Sequence, residues 1–198
     1  LRLIRYTAEM ISDLREGEWI QDSLVRDWNV QLNQLDQVHD LKTASLFKWC
    51  LRAPFIIQEN YDDELHQTLE EMGSLLGLLF QRGDDLLDFD IRNDEGKALL
   101  GDLKSGYLNS FAAFLSRHFS EDKKQALRKC DTLEQVKELV GAAEFNRAVQ
   151  EFDDMNRQVI ELYDHKAKSL EARLAPESRG LLNDLVGLPS ILYFRKAR

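Results

Sequence analysis

The sequence has little cysteine, proline or glycine, and these shortages already narrow the possible folds. Among 198 residues there are 2 cysteines, 3 prolines and 10 glycines. Cys50 and Cys130 are too few for a disulfide framework and lack the spacing of a zinc site, so we expect two reduced thiols packed as small apolar groups. The scarcity of proline and glycine, together with long segments rich in Leu, Glu, Gln and Arg, favours helices over strands.

Excess positive charge and long apolar runs are also missing. Lys and Arg number 26 against 35 Asp and Glu, which gives a formal net charge of −9. A nucleic-acid-binding protein needs a basic face to neutralise phosphates, so we expect no nucleic-acid partner. No apolar run approaches the ~18 residues of a membrane span, and no signal-type segment opens the chain. We therefore expect a cytoplasmic protein. Because the chain is acidic, it would need metal ions as intermediaries to bind anions.

Apolar residues recur every three or four positions along most of the chain, which is the period of helices packed on a core. The pattern is clearest over residues 65–87, and a start near residues 60–63 is favoured by the capping residues there. No internal repeat, low-complexity tract or linker interrupts the chain. Residues 1–198 are therefore expected to form a single all-α domain.

A second apolar helix is predicted from Leu41 to about Pro54, because a proline ring disfavours continuation of a helix. Lys42 and Thr43 would lie at its beginning. The start of a helix carries unpaired N–H groups and the positive end of the helix dipole, both of which suit anions. The alternative interpretation is a surface lysine beside a capping residue.

The carboxyl end of the long helix changes abruptly from apolar to acidic. Asp84, Asp85 and Asp88 follow Gln81 at spacings that place all four on one helix face. Three carboxylates that repel each other are explained by a divalent cation among them, and such oxygen ligands suit Mg²⁺. The alternative is a solvated acidic patch. An EF-hand starting at Asp88 is excluded, because Asn93 stands where that loop requires glycine.

Four further motifs accompany the acidic motif in a fixed order. In chain order the five are Gly17-Glu18-x-x-Gln21, Lys42-Thr43-Ala44-Ser45-Leu46, Gly77-x-x-Phe80-Gln81-x-x-Asp84-Asp85-x-x-Asp88, Gly96-Lys97 and Gly101-Asp102-Leu103-Lys104-x-Gly106. Each is weak alone, but their order and spacing are specific over about residues 1–110. In these motifs the chain resembles the trans-isoprenyl (polyprenyl) diphosphate synthase family.

The resemblance implies an isoprenoid synthase fold, which is an antiparallel helical bundle around a central cavity, usually in a homodimer. The match corresponds to the C-terminal part of that fold, with the acidic motif as the second of two aspartate-rich motifs. Asp62-Asp63-Glu64 and Asp153-Asp154 lack the spacing of the first motif. We therefore expect N-terminal helices of a larger isoprenoid synthase domain to be missing before residue 1, and this stretch alone to be inactive.

The implied activity is that of a prenyltransferase of isoprenoid biosynthesis. It would condense isopentenyl diphosphate with an allylic diphosphate, head to tail, after Mg²⁺-assisted ionisation of the allylic substrate. Departure of a diphosphate needs dense positive charge, which oxygen-bound Mg²⁺ supplies. The resemblance assigns Mg²⁺ binding to Asp84, Asp85 and Asp88.

The resemblance also assigns roles to basic side chains. Lys42, Lys97 and Lys104 would bind the diphosphate as point charges. Arg195 and Lys196 belong to a basic end that is similar to family tails closing over the substrate; a solvated tail is the alternative.

Neutral side chains complete the implied site. Thr43 and Gln81 would direct neutral oxygens towards the developing carbocation, and with Lys42 they form the expected catalytic set. Phe80 would contact the hydrophobic chain of the substrate. Tyr107 departs from the family pattern, which usually has a lysine after the glycine that corresponds to Gly106.

Other functions are compatible with part of the pattern. The main alternative is a catalytically incomplete prenyl-synthase-like subunit with a binding or regulatory role. A class I terpene cyclase is disfavoured, because Asn183-Asp184 lacks the serine of that metal motif, and the paired motifs of head-to-head synthases are absent. A helical domain with an acidic surface and no metal is the simplest remaining possibility.

Overall fold

The computed structural model describes residues 1–90, 99–171, 173–174 and 179–194, with side chains in these ranges except at 179 and 181–183. This part of the chain forms ten α-helices and one π-helical turn and contains no strand, which confirms the predicted all-α bundle. The helices are α1 (Arg2–Leu24), α2 (Leu32–His39), the π turn (Asp40–Ala44), α3 (Ser45–Ile57), α4 (Asp63–Leu87), α5 (Gly101–Ser105), α6 (Ser110–Ser116), α7 (Glu121–Leu127), α8 (Leu133–Val140), α9 (Ala142–Ser169) and α10 (Arg179–Tyr193). Over the described ranges, no helix is both long enough and apolar enough to span a bilayer.

The long helix α4 is the centre of the bundle and begins where the sequence predicts. The side chain of Asp62 accepts a hydrogen bond from the backbone N–H of Leu65 and caps the first turn. The helix then packs against the π turn, α3, α9 and α10. Its carboxyl end therefore has a fixed position relative to several other elements.

Residues Leu32–Ile57 form one continuous helical segment, because the π turn joins α2 directly to α3. The prediction of a helix beginning at Leu41 was wrong. Lys42 and Thr43 lie inside the segment, so the argument from unpaired N–H groups at a helix start does not apply to them. The predicted end at Pro54 was also wrong, because α3 continues to Ile57. Pro54 has no backbone N–H, so one intrahelical hydrogen bond is missing at this position.

Two glycines let neighbouring helices approach the π turn closely. A Cβ atom added at Gly77 of α4 would lie 2.4 Å from the Cα atom of Ala44, and one added at Gly17 of α1 would lie 2.6 Å from the backbone nitrogen of Lys42. Neither distance is possible for a real side chain. The π turn is therefore held by direct backbone packing against α1 and α4, and π turns of this kind are frequent at functional sites.

The apolar core has two main clusters. One surrounds the amino-terminal half of α4, where Leu65, Leu69 and Met72 pack with Tyr163 and Leu170. The other is rich in phenylalanine and draws most of its residues from the part of the chain after α4. Its rings meet edge to face around Phe111, whose partners are Phe89, Phe145 and Phe152. Leu86, in the acidic end of α4, packs against this second cluster.

Candidate functional site

A chain of side-chain hydrogen bonds joins the π turn to the acidic end of α4. The hydroxyl of Thr43 donates to Oε1 of Gln81 over 3.2 Å, and Nε2 of Gln81 donates to Oδ1 of Asp85 over 3.0 Å. Gly77 permits this contact, because it brings the π turn against α4 one turn before Gln81. Residues 38 positions apart in the chain are thus linked directly, and both were predicted site residues.

Lys42 precedes Thr43, the first residue of this hydrogen-bonded series, and its side chain faces α1. Its ammonium contacts Oε1 of Glu18 at 3.0 Å and donates to Oε1 of Gln21 at 3.1 Å. Glu18 and Gln21 belong to the first sequence motif, so the structure gives that motif a partner. An ammonium has three donors, and these two contacts leave it capacity for a ligand oxygen.

Asp85 is buried, with 3% of its surface exposed. Burial raises the pKa of its carboxyl, although hydrogen bonds from Gln81 and from the backbone N–H of Ser110, 2.8 Å from Oδ2, act in the opposite direction. His39 Nε2 lies 3.9 Å from the same oxygen. Burial lowers the pKa of His39 to about 4, so the imidazole is neutral at physiological pH and does not compensate the carboxylate charge.

Asp88 binds the backbone of α5, a structural role that the sequence did not reveal. Its Oδ1 accepts a hydrogen bond from the N–H of Gly101 over 2.8 Å, and its Oδ2 accepts one from the N–H of Asp102 over 3.3 Å. Burial raises the pKa of Asp88 to about 6 despite these bonds. The carboxylate therefore attaches the first turn of α5 to the end of α4.

The three aspartates of the motif thus lie in unlike surroundings. Asp84 is half-buried, whereas Asp85 and Asp88 are buried and hydrogen-bonded to backbone N–H groups. Within the described ranges, no group of three or more His, Cys, Asp or Glu side chains is arranged so that it could hold a metal ion. The predicted assignment of all three carboxylates to Mg²⁺ stays a prediction.

The structure gives few or no contacts that bear on the roles of the other predicted site residues. The ammonium of Lys104 is exposed and donates to the carbonyl of Leu99 over 3.0 Å, so its described contact is with the backbone just before α5. The ring of Phe80 lies 5.9 Å from that of Phe47 of α3. Lys97, Arg195 and Lys196 lie outside the described residues, and their roles stay predictions.

Sequence reasoning missed Arg82, which lies within the acidic motif but faces away from Gln81 and towards α2 and α9. Only 4% of its surface is exposed. Its guanidinium donates to both carboxylate oxygens of Asp36 over 2.9 Å and to Oδ1 of Asn156 over 2.9 Å. A bidentate pair of this kind fixes orientation as well as distance. The signal available in the sequence was a lone arginine among carboxylates.

The same network continues to the last described helix. Asn156 donates to the hydroxyl oxygen of Tyr193 over 3.2 Å, and that hydroxyl donates to Oδ1 of Asp153 over 2.8 Å. Close backbone packing supports the contact, because a Cβ atom at Gly83 would lie 2.9 Å from the carbonyl oxygen of Tyr193. The acidic end of α4 is therefore supported by α2, α9 and α10 on the face opposite Thr43.

Comparison with known proteins gives consistent matches. A family model described as polyprenyl synthetase matches residues 1–151. A prenyl transferase of Synechocystis is 33% identical over 115 residues, which cover 58% of this chain and 35% of that protein. The decaprenyl-diphosphate synthase of Dictyostelium discoideum is 28% identical over 173 residues, which cover 87% of this chain and 37% of the relative.

Solved structures share the fold. A decaprenyl diphosphate synthase from Rhodobacter capsulatus superimposes with a TM-score of 0.80 at 21% identity, covering 100% of this chain and 60% of that one. A geranylgeranyl pyrophosphate synthetase from Pyrococcus horikoshii gives 0.77 at 21% identity, covering 98% of this chain and 58% of the other. The chain thus spans about a third of the length of these curated relatives and about three fifths of the solved ones.

Proposed function

The chain belongs to the polyprenyl synthetase family, and we propose that its site serves head-to-tail prenyl transfer from an allylic diphosphate to isopentenyl diphosphate. In this reaction the C–O bond to the allylic diphosphate breaks and the diphosphate departs. A new C–C bond then forms with the double bond of isopentenyl diphosphate, and loss of a proton restores a double bond. The observation that carries the proposal is the hydrogen-bonded chain from Thr43 through Gln81 to Asp85.

The carboxylates fit a magnesium ion in their chemistry. Mg²⁺ is usually bound through one or two carboxylates together with substrate phosphates, so a site without three converging protein ligands is compatible with it. Asp84, the least buried of the three, is proposed as the main ligand. Asp85 and Asp88 retain lone pairs beyond their described hydrogen bonds, because an ionised carboxylate can accept about four. When bound, the ion would supply the positive charge that diphosphate departure requires.

The chain's own residues account for the remaining requirements. Thr43 and Gln81 present neutral oxygens, which stabilise a nearby carbocation without the risk that an anionic oxygen would be alkylated. Asp85 orients the amide of Gln81 by accepting from its Nε2 atom. Lys42, held by Glu18 and Gln21, is positioned to donate to a phosphate oxygen.

Incubation of the full-length protein with labelled isopentenyl diphosphate and a series of allylic diphosphates tests the proposal. We expect Mg²⁺-dependent chain elongation that is lost on chelation and strongly reduced by Asp84→Asn. Asp122→Asn, which changes an exposed aspartate on α7, is the matched control and should leave elongation unchanged. Diphosphate binding without elongation from any primer would instead favour a catalytically incomplete subunit. The homodimer is proposed from the family resemblance and the cytoplasmic location from the composition; sedimentation and cell fractionation, respectively, would test them.

A further inference from the structure

A cavity lies between the α1–α2 connection and the pair of helices α6 and α7. Its volume is about 630 Å³, within the range of roughly 300–1,000 Å³ that is typical of small-molecule sites. Residues 28–33 line one side, and four residues between Ala113 and Arg117 together with Lys124 line the other. Among these described lining residues there is none to which the sequence assigned a role in prenyl transfer.

The lining of this cavity is positively charged, although the chain as a whole is acidic. Its charged side chains are those of Arg117 and Lys124, and no carboxylate of the described residues lines it. The surrounding segment has the same bias, since residues 117–129 contain five Lys and Arg and only two Asp and Glu, in a chain of net charge −9. A cleft lined by charges of one sign focuses the electric field and concentrates counter-ions, so this cavity attracts anions.

Lys124 joins the two sides of the cavity and keeps a donor for a ligand. Its ammonium donates to Oδ1 of Asn29 over 2.6 Å and to Oε1 of Glu121 over 3.1 Å. An ammonium has three donors, so these contacts leave one N–H. Because the side-chain oxygen of Asn29 accepts from Lys124, the NH₂ group of that amide is the part that remains for a ligand. Both side chains therefore offer N–H donors, which suit an anion.

Arg117 lines the same cavity at the end of α6, and its guanidinium is held in place. It lies 3.8 Å from the centre of the Phe114 ring and donates to the Phe114 carbonyl and to Oε2 of Glu151, each over 2.7 Å. These bonds use two of its five N–H donors. Glu151 is 47% exposed, and Glu121, the partner of Lys124, is 70% exposed. Exposed ion pairs contribute little, so a bound anion can replace either carboxylate.

The cavity is separate from the acidic end of α4, although two elements reach both places. The first residue of α6, Ser110, donates its N–H to Asp85, and Arg117 follows seven residues later. Likewise Asn33 lies near the start of α2, and Lys42 follows nine residues later in the π turn. At a rise of about 1.5 Å per residue, these separations are about 10–14 Å, too far for one phosphate group to contact both places.

We infer that this cavity is a binding site for a small molecule that carries a phosphate group. Arginine binds phosphate oxygens through paired N–H groups and lysine binds them as a point charge. Trp28 and Phe114 add apolar surface beside the two cations, so the cavity also accommodates an organic part of the ligand. The inference does not rest on the proposed function. The phosphate has two possible sources, a free inorganic anion and an organic phosphate such as a nucleotide.

Calorimetric titration of inorganic diphosphate into the full-length protein in EDTA tests the inference, because chelation removes the Mg²⁺ that diphosphate binding at the acidic end of α4 is proposed to need. We expect binding that Lys124→Gln or Arg117→Gln weakens about tenfold or more, since hydrogen bonds between charged groups are strong. Lys129→Gln is the matched control: Lys129 is exposed, belongs to the same basic segment and does not line the cavity. This variant should bind like the unmodified protein.

Titration with ATP under the same conditions distinguishes the two sources of the phosphate. Tighter binding of ATP than of inorganic diphosphate, with a change in tryptophan fluorescence that Trp28→Phe removes, would identify an organic phosphate as the ligand. Equal or weaker binding of ATP would identify the inorganic anion. Thermal unfolding curves check that each variant is folded.

Three results would overturn the inference. The first is that neither anion binds in EDTA. The second is that Lys124→Gln and Arg117→Gln leave binding unchanged, or that Lys129→Gln weakens it equally, because only the net charge of the segment would then matter. The third is that Lys42→Gln abolishes the binding, because the anion would then lie beside the acidic end of α4. Failure of chain elongation would bear on the proposed function alone.

Discussion

The two halves of α4 bury their side chains against different kinds of partner. The amino-terminal half places Leu65, Leu69, Met72 and Leu76 in an apolar cluster. The carboxyl-terminal half, from Gln81 to Asp88, buries polar and charged groups that are hydrogen-bonded to α2, the π turn, α5, α6 and α9. Both halves are parts of the same uninterrupted helix.

This difference separates what stabilises the bundle from what positions the site. Apolar contacts are non-directional, so the amino-terminal half should tolerate changes that conserve volume. A buried hydrogen bond has a defined geometry, and removal of one partner leaves the other unsatisfied. The carboxyl-terminal half should therefore be the less tolerant of the two, although it contributes less apolar surface.

The largest effect is expected for Arg82→Met, which keeps the apolar stem and removes the guanidinium. Loss of one partner of a buried ion pair typically costs about 3–5 kcal/mol. We expect a value near the lower end, about 3 kcal/mol, because Asp36 is 31% exposed and can be hydrated. Chemical denaturation measures the change in the free energy of unfolding. A change below about 1 kcal/mol would mean that the network contributes little.

Gly77→Ala should have the next largest effect. The new Cβ atom would overlap the backbone of Ala44, and overpacking of this kind costs about 1–3 kcal/mol. The displaced π turn should also separate Thr43 from Gln81 and reduce activity. Gly187→Ala in α10 is the control: nothing lies within 4 Å of its added Cβ atom, so its unfolding free energy should be unchanged or higher. Equal stability of the two variants would contradict the close packing.

Leu69→Met probes the other half of the helix. A volume-conserving apolar exchange usually costs less than about 1.5 kcal/mol, and the site should be unaffected because the substitution breaks no hydrogen bond. Thermal unfolding and the elongation assay measure the two expectations. If Leu69→Met lost elongation activity while its stability stayed normal, the packing of the amino-terminal half of α4 would also determine the geometry of the site.

The smallest effect is expected at the surface. Arg5 and Glu9 form an exposed pair on α1, with Nε and Oε1 2.9 Å apart. Exposed pairs four residues apart contribute about 0.3–0.5 kcal/mol, so Arg5→Ala should change the free energy of unfolding by no more than that. High salt should abolish the difference from the unmodified protein, because screening weakens exposed pairs.

The sequence contained enough information for the helices but not for the turn that shapes the site. Apolar periodicity and the capping residues at 60–63 predicted α4, because both are local signals; the structure shows that Asp62 is the cap. The π turn was missed: a single extra residue in a helix leaves no distinct periodicity, so its effect was interpreted as a helix beginning at Leu41. Gly17 and Gly77 were visible as motif residues, but only the packing explains why no side chain fits there.

The sequence provided candidate residues for the site but not the contacts between them. The motif resemblance grouped Lys42, Thr43 and Gln81; in the structure Thr43 contacts Gln81, whereas the ammonium of Lys42 contacts Gln21 of α1. It did not reveal the partners of Arg82, because they lie 46 and 74 residues away in the chain. Nor did the spacing of the three aspartates reveal that Asp85 and Asp88 are buried whereas Asp84 is half-buried.

The central claim is that the acidic end of α4 binds a divalent cation together with a diphosphate. Crystals of the full-length protein grown with Mn²⁺, which has the same preference for oxygen ligands as Mg²⁺, and inorganic diphosphate test it directly through the anomalous signal of the metal. We predict a peak within metal–oxygen bonding distance of the Asp84 carboxylate, bridged to diphosphate oxygens. Bound diphosphate with no metal peak beside Asp84, or a peak only elsewhere in the protein, would contradict the claim.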